Sequence, residues 1–147
     1  MADLHSLPAG FSKRYGPWAV IAGGSEGIGA SFARYLAAAG INLVLLARRQ
    51  GPLQALAGEL QDAHGIEVRT VSLDLTAPDL LQSLAPHVTG LEVGLLIYNA
   101  GSTIRYGRFD QWQLEELDFM LQLNCRAPVH LAHYFSQGMV RRRRGGI

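Results

Sequence analysis

Residues 18–29 read WAVIAGGSEGIG, an apolar run that passes directly into a glycine-rich loop. An unbroken apolar run such as Trp18–Ala22 is typical of a strand buried on both faces of a sheet. After the loop, apolar residues recur at helical spacing and Gly40 follows them as a stop signal. We therefore predict a strand, a tight glycine turn and a helix. The predicted buried face of that helix comprises Ile28, Phe32, Tyr35, Leu36 and Ala39.

The alternation of strand and helix patterns continues along the chain. Further strands are predicted at residues 41–47, 68–73 and 93–98, of which the first and the last are nearly continuous apolar runs. Between them, two helical faces are predicted: Leu53, Leu56, Ala57 and Leu60, then Leu80, Leu81, Leu84 and Val88. One long helix is predicted from about Gln111 to Arg143. Its predicted buried face comprises Met120, Leu123, Ala127, Leu131 and Tyr134.

This order of elements predicts the α/β class, with a Rossmann-like, doubly wound parallel sheet covered by helices on both faces. Right-handed crossovers favour the strand order 3-2-1-4. A length of 147 residues fits a single domain spanning residues 1–147, with residues 1–17 as a polar lead-in. We expect this domain to be incomplete, because the chain ends where a fifth strand would begin.

Composition narrows the function classes. With 48% apolar and 17% charged residues the chain suits a compact core, and a net charge of +1 gives no global attraction to nucleic acid or to an anionic membrane. The single cysteine, Cys125, excludes a disulfide framework and is expected to be a small core residue. No metal site is predicted, and Arg141–Arg144 is expected to complement a helix C-terminus. No apolar run is long enough to span a membrane, so a cytoplasmic protein is expected.

The loop glycines follow the spacing G-x-x-x-G-x-G at Gly23, Gly27 and Gly29. Residues without a Cβ let the backbone approach a pyrophosphate, and the following helix N-terminus offers unpaired N–H groups and a positive dipole end. The alternative is a tight strand-to-helix turn that needs glycine for backbone reasons alone.

The loop lies between the first predicted strand and the helix that follows it. In this position it resembles the glycine motif T-G-x-x-x-G-I-G of the short-chain dehydrogenase/reductase family, with Ala22 in place of the threonine. The resemblance extends from Tyr15 to the last residue. It implies a nicotinamide dinucleotide cofactor. The implied contacts in this loop are Gly23, Ser25, Glu26, Gly27, Ile28 and Gly29.

The end of the second predicted strand predicts which dinucleotide binds. An NAD site usually has an acidic residue there, which accepts hydrogen bonds from the ribose. Here the strand ends Leu-Ala-Arg-Arg at residues 46–49, without an acid. A guanidinium binds a 2′-phosphate that a carboxylate would repel. We assign Arg48 to the 2′-phosphate, with Ser25 as a hydroxyl donor and Arg49 as a weaker second contact, so NADP is predicted over NAD. The alternative is that the two arginines simply solvate the strand end.

Other motifs carry further expectations from the resemblance. Asp74 and Leu75, after the third strand, match the family's adenine contact, although an aspartate there is also a common turn or cap residue. Asn99, Ala100 and Gly101 match the last three residues of the N-N-A-G motif, which lines the nicotinamide-ribose end of the cleft.

Asn124 aligns with a helical asparagine that the family counts among its catalytic residues. Pro128 has no N–H, so the carbonyl of Asn124 loses its helical partner. The resemblance implies that this freed carbonyl holds a water in a proton relay. Taken in isolation, Asn124 reads as a polar helix residue facing solvent.

The family's catalytic Tyr-x-x-x-Lys pair is absent. The residues four positions after the five tyrosines are Ala19, Ala39, Ser102, Asp110 and Gly138, and the only lysine is Lys13. We therefore expect the N-terminal, cofactor-binding portion of an NADP-dependent oxidoreductase that reduces a carbonyl or oxidises an alcohol, inactive alone. The alternatives are a non-catalytic NADP-binding module and a truncated remnant. The expected partners are a small-molecule substrate and further copies of the full-length protein, without nucleic acid or membrane.

Overall fold

The computed structural model describes residues 7–102 and 106–147. Its centre is a parallel sheet in the order β3-β2-β1-β4, which confirms the predicted fold class and strand order. The strands are β1 (Trp18–Ala22), β2 (Asn42–Ala47), β3 (Val68–Ser72) and β4 (Val93–Tyr98). The helices are α1 (Phe11–Tyr15), α2 (Gly27–Ala38), α3 (Gln50–His64), α4 (Leu80–Val88), α5 (Leu114–Leu121) and α6 (Ala127–Arg142).

The core lies on both faces of the sheet. Every residue of β1 is buried, as its unbroken apolar sequence predicts. Ala19 and Ile21 pack in one cluster with α2 and α3, whereas Val20 and Ala22 pack in a second cluster with α4 and α6. Alternate residues of one strand therefore serve opposite helix layers. This arrangement brings the carboxyl ends of all four strands to one open edge.

The prediction of which residues of α2 are buried is wrong. Ile28, Phe32 and Tyr35 are 68%, 42% and 43% exposed, and of the predicted set only Leu36 belongs to the buried core. The residues that face the sheet are mostly small: Gly29, Ala30, Ala33, Leu36 and Ala37. The reason is close approach, because a Cβ added at Gly29 would lie 2.0 Å from the carbonyl oxygen of Gly23. By contrast, the predicted faces of α3 and α4 are confirmed, with Leu81 only partly buried.

The predicted long helix is interrupted. A short 3-10 turn at Phe109–Gln111 precedes α5, and a π-helical turn at Gln122–Arg126 separates α5 from α6. Ala127 and Leu131 are buried as predicted, and the buried stripe continues through Phe135 and Met139. Met120, Leu123 and Tyr134 are only partly buried. Cys125 is exposed, so its assignment to the core is wrong.

Both ends of the described chain pack beside β4. A Cβ added at Gly94 would lie 2.5 Å from the carbonyl oxygen of Tyr15, so α1 and β4 touch through their backbones. The segment predicted as a polar lead-in therefore contains a packed helix, α1. At the C-terminal end, the N–H of Leu96 donates to the carbonyl of Gly146, and the N–H of Gly146 donates to the carbonyl of Gly94, each at 3.0 Å. Gly146 thus forms an isolated parallel bridge with Leu95, and a fifth strand stays a prediction.

Two of the four arginines at the end of α6 bond to other elements, and the other two are exposed. Arg142 donates to the carbonyl of Val93 at 2.6 Å, and Arg144 donates to the carbonyl of Lys13 at 2.7 Å. Both also pair with Glu92. They tie the end of α6 to β4 and α1, whereas Arg141 and Arg143 are exposed. Within the described ranges no helix combines the length and apolar character that crossing a membrane requires.

Candidate functional site

A cleft of about 550 Å³ lies at the carboxyl ends of the strands. Its walls are loops that follow successive strands, which is where open parallel sheets place their ligand sites. The lining residues are Gly23, Ser25 and Glu26 after β1, residues 47–49 after β2, residues 73–76 after β3 and residues 99–102 after β4, with Phe119 and Leu123. Of the predicted site residues, Gly27, Ile28, Gly29 and Asn124 do not line this cleft.

The glycine turn is held by backbone contacts. Gly23 donates to the carbonyl of Leu46 at 2.8 Å, and Asn99 Nδ2 donates to the carbonyl of Gly23 at 3.2 Å. Gly23 has φ 77°, and a Cβ there would lie 2.8 Å from the backbone of Ala100. Gly27 also has positive φ, at 55°. Gly23 is therefore required by both its φ and its close contact, and Gly27 by its φ alone.

The N-terminus of α2 opens beside this turn. Its N-cap residue, Glu26, is extended and makes no side-chain capping bond to the first turn. The N–H groups of the first helical turn therefore remain available to an anion. The side chain of Ile28 points into solvent, so this residue offers its backbone alone.

The two arginines after β2 differ in their surroundings. Arg49 pairs with Glu26 across the mouth of the cleft, which compensates both charges. Arg48 is exposed and, in the part of the chain that the structure describes, forms no ion pair. Its backbone is fixed, because Ser72 Oγ donates to the carbonyl of Arg48 at 2.9 Å. Arg48 thus presents to the cleft a positive charge that forms no ion pair with any described carboxylate.

Asp74 combines a turn role with a place on the cleft wall. Its Oδ1 accepts hydrogen bonds from the Thr76 N–H at 2.9 Å and from the Thr76 hydroxyl at 2.8 Å. This is the Asx turn that an aspartate before Leu-Thr favours. Leu75 is 5% exposed and belongs to the core. The carboxylate of Asp74 is exposed and is therefore the polar group that this loop presents.

The helix at Pro128 changes its hydrogen-bond register. The N–H of Ala127 donates to the carbonyl of Gln122, five residues back, instead of to that of Leu123. The proline cannot donate to Asn124, so the α-helical pattern is already broken here. The carbonyl of Leu123 then accepts a hydrogen bond from the Tyr98 hydroxyl at 2.5 Å. Pro128 indicated a freed carbonyl at Asn124, but no pattern in the sequence identified Tyr98 as the partner of the neighbouring carbonyl of Leu123.

The side chain of Asn124 is committed to a neighbouring loop. Its Oδ1 accepts from the N–H of Ser102 at 3.3 Å, and its Nδ2 donates to the carbonyl of Ser102 at 3.1 Å. The amide therefore pairs with one residue of the loop after β4. Ser102 was not predicted as a site residue, because a serine in a loop carries no distinguishing local pattern. A catalytic role for Asn124 stays a prediction about its backbone carbonyl.

The Tyr98 hydroxyl gives a prediction that needs no ligand. Burial raises the pKa of Tyr98 to about 12. Because this pKa is above the unfolded value, the stabilisation from the protonated hydroxyl is complete below about pH 10 and is lost as the pH rises toward 12. In an absorbance titration at alkaline pH, we expect one late-titrating tyrosine, which disappears in Tyr98→Phe. Uniform titration of all tyrosines near pH 10 would contradict this environment.

The family model described as short chain dehydrogenase matches residues 17–147. The chain is similar to a very-long-chain 3-oxoacyl-CoA reductase of Macaca fascicularis, with 32% identity over 142 residues, which cover 95% of this chain and 46% of the relative. It is also similar to a solved 7beta-hydroxysteroid dehydrogenase, with 28% identity and a TM-score of 0.86 over 91% of this chain and 51% of that one. A short-chain dehydrogenase from Sphingobium yanoikuyae in complex with NADPH gives 35% identity and a TM-score of 0.81 over 88% and 51%.

The chain thus spans about half the length of the relatives it matches. The matched half includes the sheet, the glycine turn and the cleft described above. Among the described residues there is no group of three histidine, cysteine, aspartate or glutamate side chains that could hold a metal ion.

Proposed function

Because the chain belongs to the short-chain dehydrogenase family, whose members are oxidoreductases that bind a nicotinamide cofactor, we propose that it is the NADP-binding portion of such an enzyme. The observation that carries the choice of NADP is the guanidinium of Arg48 on the cleft, at the end of a strand that has no acid there. A cation in this place favours a ligand with a 2′-phosphate.

The residues present fit this dinucleotide. Arg48 and Ser25 would hold the 2′-phosphate, and the uncapped N-terminus of α2 would hold the pyrophosphate. Asp74 would contact the adenine edge, and the 99–101 segment would line the nicotinamide ribose. A volume of about 550 Å³ lies within the usual range of small-molecule sites. When bound, the nicotinamide supplies a carbon that gives or takes a hydride.

The substrate class follows from the relatives and stays part of the proposal. Their names, a 3-oxoacyl-CoA reductase and a 7beta-hydroxysteroid dehydrogenase, favour an oxo or hydroxyl group as the reacting function. This chain has no Tyr-x-x-x-Lys pair. A tyrosine whose pKa is lowered by a lysine is the family's proton donor to the substrate oxygen, so we propose that this chain binds NADP without turning over substrate.

The absence of this pair also favours a second candidate, a non-catalytic NADP-binding module. The two candidates make the same prediction for cofactor binding and differ in what the gene encodes. Reading the coding DNA past the codon of Ile147 distinguishes them. A serine and a Tyr-x-x-x-Lys pair in frame support the enzyme, and a stop codon supports the module.

Calorimetric titration of the chain with NADPH and NADH tests the shared part of the proposal. We expect saturable binding of NADPH and at least about tenfold weaker binding of NADH, because a charged pair to the 2′-phosphate is worth a decade or more in affinity. Absorbance at 340 nm should stay constant when ketones are added to the complex. Absence of saturable NADPH binding at millimolar concentration would overturn the assignment.

A further inference from the structure

The π-turn Gln122–Arg126 contacts two loops beside the cleft, the loop after β3 and the loop after β4. Leu123 accepts the hydroxyl of Tyr98, at the end of β4, and Asn124 pairs with the backbone of Ser102 in the loop after β4. On the other side, Arg126 Nη1 donates to the carbonyl of Ala77 at 3.2 Å and Nη2 donates to the carbonyl of Pro78 at 3.0 Å. One turn of helix is therefore bonded to two loops that are separate in sequence.

The guanidinium of Arg126 is suited to bonding these two carbonyls. It is partly buried and forms no ion pair with a carboxylate in the described ranges. The two carbonyls that it contacts belong to consecutive residues, so the planar fork of the arginine reaches both at once. They follow the Asx turn of Asp74 directly and precede the first residue of α4, Leu80.

The shifted register of the turn makes the second contact available. In an unbroken α-helix, the carbonyl of Leu123 would accept the N–H of Ala127. Because that N–H goes to Gln122 instead, the carbonyl of Leu123 can accept the hydroxyl of Tyr98. The π-turn thus gains one hydrogen bond to β4 in place of one within the helix.

We propose that Arg126 and Tyr98 are positioning residues that set the two cofactor-facing walls of the cleft. Arg126 fixes the loop that carries Asp74, and Tyr98 fixes the π-turn whose Asn124 holds the loop with Gly101 and Ser102. This inference rests on the proposed NADP function for its ligand. It adds that the two residues position different parts of the cleft: Arg126 positions the loop at the adenosine end of the cofactor, and Tyr98 positions the loop at the nicotinamide end.

Binding of a cofactor fragment tests this assignment. Calorimetry with NADPH and with adenosine 2′,5′-bisphosphate would compare Arg126→Met, Tyr98→Phe and Arg141→Met, the last being an exposed arginine of α6. We expect Arg126→Met to weaken both ligands about tenfold, because binding must then order a loop that the two bonds of Arg126 no longer hold. Tyr98→Phe should weaken NADPH about tenfold and the fragment less than about twofold. Arg141→Met should change neither.

A parallel loss in Tyr98→Phe would overturn the inference. If Tyr98→Phe weakened the fragment as much as NADPH, general destabilisation would explain its effect. Unchanged binding in Arg126→Met would remove it from the site. Arg126→Lys adds a second variant that retains the charge without the fork. It should recover only part of the affinity, since one ammonium cannot reproduce the two parallel donors.

Amide hydrogen exchange tests the same contacts without a ligand. Arg126→Met should accelerate exchange at the N–H of Thr76, and Tyr98→Phe should accelerate it at the N–H of Ser102. The N–H of Gly23, bonded to Leu46, should keep its rate in both variants. Unchanged rates at Thr76 and Ser102 overturn the inference even if NADPH binds. Accelerated rates in a chain that binds no NADPH leave the role of the π-turn intact and overturn the proposed function instead.

Discussion

Replacement of Arg48 by aspartate is expected to weaken NADPH binding about a hundredfold and to leave NADH binding within about threefold of the unmodified chain. The substitution removes a guanidinium that has no ion-pair partner in the described ranges and places a carboxylate on the same wall. The carboxylate repels the 2′-phosphate of NADPH and can accept hydrogen bonds from the ribose hydroxyls of NADH. Calorimetric titration of both cofactors into Arg48→Asp measures the two effects.

The neighbouring arginine supplies a matched control. Arg48→Gln and Arg49→Gln remove the same charge from adjacent exposed positions, but Arg49 is already paired with Glu26. We expect Arg48→Gln to weaken NADPH about tenfold and Arg49→Gln less than about threefold, because a compensated charge contributes little to an exposed site. Equal weakening of NADPH and NADH in Arg48→Asp would exclude a 2′-phosphate contact at this residue.

The central strands β1 and β2 could be predicted from the sequence because they are buried on both faces of the sheet. A strand such as β1 has no solvent-facing side, so all of its residues are apolar and its limits are visible in the sequence. Helices between such strands leave few topologies, since the crossovers are right-handed. The predicted order was therefore confirmed.

The buried face of α2 could not be predicted in the same way. Apolar periodicity assumes that the largest side chains face the core, and in α2 the sheet instead contacts Gly29, Ala30 and Ala33. The helix lies too close to the glycine turn for larger residues. The exposed Ile28 and Phe32 then dominate the pattern that the sequence presents.

The residues that line the cleft could be predicted from the sequence, whereas the residues that hold its loops in place could not. Residues after each parallel strand must meet at one edge of the sheet, so Arg48, Asp74 and Asn99 could be assigned to one site. Arg126 contacts a loop almost fifty residues earlier in the chain, at a distance of 48 or 49 positions. Such a bond leaves no trace in local periodicity. Pro128 indicated a break in the helix, but nothing in the sequence around it predicted the π-helical hydrogen bonds of the turn Gln122–Arg126.

Substitution of Gly29 by alanine is expected to lower the free energy of unfolding by about 3 kcal/mol or more. The added Cβ would lie 2.0 Å from the carbonyl oxygen of Gly23 and 2.9 Å from its carbonyl carbon. Both atoms belong to the backbone of the glycine turn, so no side-chain rotation relieves the overlap and α2 must move away from the sheet. Urea denaturation, with the midpoint and the slope compared between variants, measures this loss.

Gly58→Ala isolates the close approach from the helical effect of the substitution. Gly58 lies inside α3, and nothing stands within 4 Å of its added Cβ. Alanine there should raise stability by about 0.5–1 kcal/mol, because it narrows the unfolded ensemble and favours the helix. Both variants replace a helical glycine by alanine, so the helical preference has the same sign in each and the opposite sign expected for Gly29→Ala comes from packing. Stabilisation by both substitutions would mean that α2 does not pack against the turn at this distance.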